Sequence, residues 1–178
     1  MNLGVIMGGM STEHYVSIVS GTSIVNNLNK KKYKIFPIYI DLKGNWYKYI
    51  KPIEEIEILQ VGEIPQELEK INNEIEYLKN MDVVFPALHG LYGEDGTIQG
   101  LLELLNVKYV GCKVLASAVS MDKVYTKILF EKANIPQANY IYIKAFNNIY
   151  TVVDNQLNEQ ELNLDEVSSM VEKQLGYP

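Results

Sequence analysis

Residues 3–7 (LGVIM) form an unbroken apolar run that ends on the pair Gly8-Gly9, and a helical pattern follows at once. A run that is apolar at every position suits a strand buried on both faces, because a strand with one wet face alternates. The pattern returns at residues 35–40 (IFPIYI) and 83–88 (VVFPAL). Between these runs lie helical stripes. Residues 14–29 carry Ile18, Thr22, Val25 and Leu28 on one face, and residues 94–105 carry Ile98, Leu101, Leu102 and Leu105. Strands alternating with helices imply right-handed βαβ units. The fold class is therefore α/β, with an open parallel Rossmann-like sheet and helices on both faces. Such sheets bind ligands beyond the carboxyl ends of their strands. Gly8-Gly9 and His89-Gly90 fall at two of those ends. Pro86 cannot donate a ladder hydrogen bond, so it belongs near a strand end or at an edge.

Weaker signals fill the rest. Residues 41–45 read as a turn into a hairpin arm at 46–49. From Pro65 onward, Leu68, Ile71, Ile75 and Leu78 recur at helical spacing, and 107–111 reads as a short strand. Near Ser120 the pattern changes. Ser120 is placed to cap a helix over 121–133. Two β-like runs follow at 140–144 and 149–153, and then a helix over 164–175 closed by Gly176, with Pro178 beyond. The expected division is 1–119 for the Rossmann-like domain and 120–178 for a second α+β unit. Two helices and two strands are too few to close a core, so the second unit is expected to be incomplete.

Charge and composition narrow the function. The net charge of -6 repels polyanions, which argues against nucleic-acid and membrane-surface roles. All 16 basic residues are Lys, so any phosphate must be held by Lys and backbone amides, without an Arg fork. The single cysteine, Cys112, excludes an internal disulfide framework and fits a reducing cytoplasm. No stretch approaches the roughly 20 apolar residues that span a bilayer.

Two clusters carry chemistry. Gly8-Gly9-Met10-Ser11-Thr12-Glu13-His14 is a small-residue turn between a buried strand and a helix start, where free N–H groups and the helix dipole favour a polar ligand. Glu13 reads first as an acid that balances that dipole, and alternatively as an anchor for a substrate ammonium. The second cluster, His89-Gly90-Leu91-Tyr92-Gly93-Glu94-Asp95-Gly96-Thr97-Ile98-Gln99-Gly100, holds a His, two acids and several glycines between a strand and a helix. That composition packs poorly and suits a backbone that approaches a ligand closely. His14 and His89 are the only histidines and form no ligand-spaced pair, so no metal site is read from spacing. A dinucleotide fold is equally unsupported, since Gly4 and Gly8-Gly9 do not make the G-x-G-x-x-G fingerprint.

The stretch from His89 to Gly100 resembles the signature His-Gly-x-x-Gly-Glu-Asp-Gly-x-Ile-Gln-Gly of D-alanine–D-alanine ligases, which are ATP-grasp enzymes. The turn from Gly8 to His14 is similar to that family's first motif, and Tyr109-Val110-Gly111-Cys112 and Ser120-Met121-Asp122-Lys123 are similar to later ones. The likeness runs from Leu3 to the neighbourhood of Ile143 and resumes at Leu175-Gly176-Tyr177-Pro178. It implies a pre-ATP-grasp domain followed by a partial ATP-grasp subdomain. It also implies ATP-dependent joining of two D-alanines through an acyl phosphate, for peptidoglycan synthesis in the cytoplasm. ATP and Mg²⁺ are the implied cofactors, D-alanine and ATP the small-molecule partners, and a homodimer the expected assembly. By the same likeness Glu13 anchors the first D-alanine's ammonium and His89 lies near its carboxyl group. Ser17, Gly90, Glu94 and Asp95 complete the substrate site, and Lys123 reaches the ATP phosphates. Tyr15 departs from the pattern, standing where the family usually carries an acid. In relatives, Leu-Gly-Tyr-Pro leads into the main ATP and Mg²⁺ machinery, so the chain is expected to end before it and to be inactive alone. The rival reading is a binding or docking module without turnover.

Overall fold

The computed structural model describes residues 1–176, so the readings placed on Tyr177 and Pro178 lie outside the described residues. The chain divides into two compact units, Met1–Met121 and Asp122–Pro178.

The first unit is built on β1 (Asn2–Gly8), which continues through α1 (His14–Asn27) into β2 (Lys34–Ile40). Then come β3 (Trp46–Tyr49), β4 (Leu68–Lys70), α2 (Glu74–Lys79), β5 (Val83–Pro86), α3 (Thr97–Leu104) and α4 (Val114–Met121). The sheet order is β4-β3-β2-β1-β5. β1 pairs parallel with both β2 and β5, while β3 and β4 add antiparallel at the far side. The sheet is therefore mixed, with a parallel centre. The antiparallel extension exists because the short turn at Asp41–Asn45 reverses the chain, and a parallel neighbour would need a long crossover.

The continuous apolar run of β1 is explained by two cores. Leu3, Val5 and Met7 pack with Ile18 and Val25 of α1 on one face. Ile6 packs with Leu78 of α2 and with Ile98 and Leu102 of α3 on the other. Chain direction therefore splits at β1. The first crossover runs over one face to β2, and the helices next to β5 lie on the other. Pro86 closes β5 at the sheet edge, where its missing N–H costs no ladder bond.

Several expectations fail for local reasons. The helix expected from Pro65 is instead β4 followed by the short α2. Leu68 pairs with Tyr49 on β3 and joins the core facing α1, whereas Ile71 belongs to the opposite core. Asn73 caps α2, its side chain accepting the Glu76 N–H at 3.0 Å, and so separates the two elements. Residues 107–111 contribute only one isolated bridge, Val84 to Tyr109. Ser120 does not cap a helix. It lies within α4, and the helix that follows is α5 (Lys123–Lys132), capped by Asp122, which accepts the N–H groups of Val124 and Tyr125.

The second unit continues through β6 (Tyr142–Phe146), β7 (Ile149–Val153), β8 (Glu159–Leu162) and α6 (Leu164–Leu175). The three strands form an antiparallel sheet in sequence order. Strand β8, with the sequence EQEL, has no apolar alternation and is a strand because β7 offers it a partner. α6 begins with a full capping box from Asn163 and Glu166. Among the described residues of this unit only Val153 and Val167 are buried apolar side chains. Amide exchange is therefore expected to find the β1 and β5 amides protected close to global unfolding, and those of β6 and β7 opening at much lower free energy. Equal protection of the two sheets would sink this expectation.

Candidate functional site

The split in chain direction at β1 makes the ends of β1 and β5 the natural ligand crevice of the first unit. The parallel register, Leu3 to Val83 through Ile6 to Pro86, brings the two strand ends out side by side. Their loops are then stitched together. Ser17, on the buried face of α1, accepts the Gly8 N–H at 2.8 Å and donates to the Ala87 carbonyl at 2.6 Å. It is fully buried. In this chain it ties the two strand ends together. Ser17→Ala leaves a buried N–H and a buried carbonyl unpaired, which costs about 1–3 kcal/mol. Urea unfolding followed by emission of Trp46, the one tryptophan, checks that figure.

The glycine turn is braced in the same manner. The Gly9 N–H reaches the Ile40 carbonyl at 2.8 Å, locking the turn to the end of β2. His14 is 2% exposed. Its Nδ1 lies 2.7 Å from the Gly9 carbonyl and its Nε2 lies 3.2 Å from the Tyr39 hydroxyl. A carbonyl only accepts, so Nδ1 carries the proton, and in the neutral ring Nε2 accepts from Tyr39. Burial, helped by the nearby Asp41 charge, holds the Tyr39 pKa above its ordinary value.

The braced turn presents Glu13. It is the N-cap residue of α1, yet its side chain makes no capping hydrogen bond, and its carboxylate is exposed. Ser11 takes the adjacent Glu13 N–H at 3.1 Å. Across the crevice, Gly90 is buried with φ +68°, and a Cβ there would lie 2.7 Å from Ser11 Oγ and 3.1 Å from Glu13 Oε1. A side chain at position 90 would therefore press on Ser11 and on the Glu13 carboxylate. The Gly90 N–H is held by Glu94 Oε2 at 2.7 Å, which folds the loop back on itself. His89 is half-buried, with Nε2 at 2.9 Å from Ser20 Oγ on α1. As a result Glu13, His89 and Glu94 each bring a ligand atom within 4.8 Å of the others. Among the described residues neither glutamate has a salt-bridge partner. Two carboxylates and an imidazole so placed are chemically suited to a positive group.

Asp95 braces the same loop. Its carboxylate accepts the Tyr92 N–H at 2.9 Å and the Thr97 N–H at 3.0 Å, shaping the loop ahead of α3. Partial burial pushes its pKa up, but these N–H groups outweigh burial and the net shift is downward. Its stabilising contribution is thus present above the ordinary carboxylate range and is lost as pH falls through the lowered value. Beside the trio lies a cavity of about 360 Å³, walled by Met10, Trp46, Leu88, Leu91, Tyr92 and Leu101, and His89 borders it. A larger hollow of about 720 Å³ sits in the second unit near Glu131, Tyr140, Asp154 and Met170, and contains none of the residues singled out from sequence. Lys123 also belongs to the second unit, exposed on the first residue of α5. Sequence reading missed Ser20 and the bracing role of His14. Ser20 stands one helical turn after Ser17 on the same face of α1, which was the available signal.

Comparison with known proteins gives a consistent picture. The family model described as the D-ala D-ala ligase N-terminus matches residues 2–112. A D-alanine–D-alanine ligase of Clostridium acetobutylicum is 43% identical over 178 aligned residues, covering 98% of this chain and 48% of the relative. Among solved structures, the VanG D-Ala:D-Ser ligase from Enterococcus faecalis superposes with a TM-score of 0.71 at 31% identity, covering 99% of this chain and 50% of that one. A D-alanine–D-alanine ligase from Bacillus anthracis complexed with ATP gives 0.59 at 31% identity, covering 97% and 54%. The chain spans about half the length of the curated relatives it matches.

Proposed function

Because this chain belongs to the D-alanine–D-alanine ligase family, through the N-terminal region of that family, we propose that its first unit holds the first D-alanine of an ATP-dependent ligase. The observation that carries the reading is the pair of uncompensated carboxylates around His89 at the adjoining ends of β1 and β5. Glu13 accepts hydrogen bonds from the substrate ammonium, and Glu94 adds charge from the facing loop. His89, steadied by Ser20, donates toward the substrate carboxyl group. Gly90 leaves the space in which the amino acid lies, and Asp95 keeps the loop shaped around it. Buried Ser17 acts through the backbone it pins. The preorganised turn costs no rearrangement when the ligand arrives.

The activity proposed for the complete enzyme is the joining of two D-alanines for peptidoglycan precursors, in the cytoplasm, with ATP and Mg²⁺ as cofactors and a homodimer as the assembly. Lys123 is the residue this reading assigns to ATP phosphate. It opens a helix that already gives two amides to Asp122. One ammonium on such a start does not hold a triphosphate by itself.

Titration of D-alanine into the ¹⁵N-labelled chain tests the reading. Amide shifts are expected at Gly9, Gly90 and Gly93. D-lactate, which has a hydroxyl in place of the ammonium, should leave them still. Equal responses to both ligands, or to neither, would remove Glu13 from the proposed role.

A further inference from the structure

The same three side chains support a second ligand class. We propose that Glu13, His89 and Glu94 form a binding site for a zinc-class divalent cation, and that such a cation competes there with the substrate ammonium. The competition rests on the proposed D-alanine reading. The metal site rests on geometry alone.

Imidazole with two carboxylates is a donor set that suits zinc and its neighbours, whereas Mg²⁺ prefers oxygen ligands and keeps its waters. A tetrahedral ion with bonds of about 2.1 Å needs ligand atoms about 3.4 Å apart. The three atoms already lie within 4.8 Å of one another. Both glutamates are exposed and can draw inward by rotamer adjustment, while Glu94 keeps Oε2 on the Gly90 N–H and offers its other oxygen. His89 is held by Ser20 Oγ at Nε2. In the tautomer whose Nε2–H donates to Ser20, Nδ1 is left with a free lone pair, the usual state of a metal-binding imidazole with an outer hydrogen bond. A doubly charged cation neutralises the two carboxylates, for which the described residues provide no salt bridge. The remaining coordination positions open to water, which leaves the ion exchangeable.

The test uses the whole 178-residue chain carrying Cys112→Ser, because Cys112 is exposed and would bind zinc on its own. Zinc chloride titrated calorimetrically is expected to show one site per chain, and magnesium chloride none. His89→Ala and Glu94→Gln should each weaken zinc binding by at least about tenfold, and Ser20→Ala by about tenfold through loss of the outer hydrogen bond. An unchanged Trp46 emission spectrum in each variant shows that the fold is kept. At equal free zinc, corrected for chelation by the amino acid, D-alanine should raise the apparent zinc dissociation constant. Absence of a one-to-one site, or zinc affinity unmoved by both His89→Ala and Glu94→Gln, overturns the metal site, and the D-alanine shifts at Gly9 and Gly90 can survive that result. Zinc binding that D-alanine does not weaken leaves the metal site standing and overturns the placement of the ammonium on Glu13.

Discussion

Gly8→Ala is expected to destabilise the first unit by about 2–6 kcal/mol, combining backbone strain with overpacking. Gly8 has φ +90°, and a Cβ built on it lies 2.2 Å from the Ile40 carbonyl oxygen and 3.0 Å from two carbons of the Tyr39 ring. The nearest atom is backbone, so no rotamer change relieves the clash. Nor can the turn swing away, because Ser17 holds the Gly8 N–H and Ile40 holds the Gly9 N–H. Moving either loses a buried hydrogen bond and opens the junction between β1 and β2. Gly62 supplies the control. It has a similar φ of +95° with nothing within 4 Å, so Gly62→Ala carries strain without the clash, roughly 1 kcal/mol. Urea unfolding followed by Trp46 emission compares the two. If both variants fall by the same small amount, the close approach of Ile40 does not govern the turn.

Glu13→Gln is expected to weaken D-alanine binding about ten- to a hundredfold while leaving stability nearly untouched. The substitution keeps the shape of the side chain and removes the charge that meets the ammonium. A charge-assisted hydrogen bond is worth about 1.5–3 kcal/mol, which is that range of affinity. Stability should hold because the Glu13 side chain caps nothing and has no salt-bridge partner among the described residues. Removing one of two neighbouring carboxylates also eases repulsion with Glu94, of about 1 kcal/mol at most across solvent. The measurement pairs the amide titration with a thermal melt. A lower melting temperature with unchanged affinity would assign Glu13 to the helix dipole and nothing more.

The elements that were legible in the sequence are those whose burial is dictated by their own residues. The run in β1 is apolar at each position because both of its faces are covered, and the stripe of Ile18, Thr22 and Val25 marks the one face of α1 that meets the sheet. Elements whose state depends on a distant partner were misread. Leu68, Ile71, Ile75 and Leu78 keep helical spacing although Leu68 sits in a strand, because pairing with β3 outweighs a local period. The sequence EQEL carries no strand signal, and β8 exists by its bonds to β7. Ser120 and Asp122 both offer a capping oxygen. The choice fell to Asp122 because α4 already enclosed Ser120.

The site divides in the same way. Sequence by itself marked two candidate ligand loops, one around Glu13 and one around His89, since clusters of glycines and charged groups follow a buried strand in each. It also determined the family to which those loops belong. Apart from the family likeness, which sets Glu13 and His89 on one D-alanine, it left open whether the loops meet, because spacing along the chain carries no information about sheet order. The tertiary structure decided that. Setting β5 directly beside β1 in parallel register brings the two strand ends together, and Ser17 bonds one to the other. Only then do Glu13, His89 and Glu94 share one small volume, the arrangement on which the proposed ammonium and cation sites both rest.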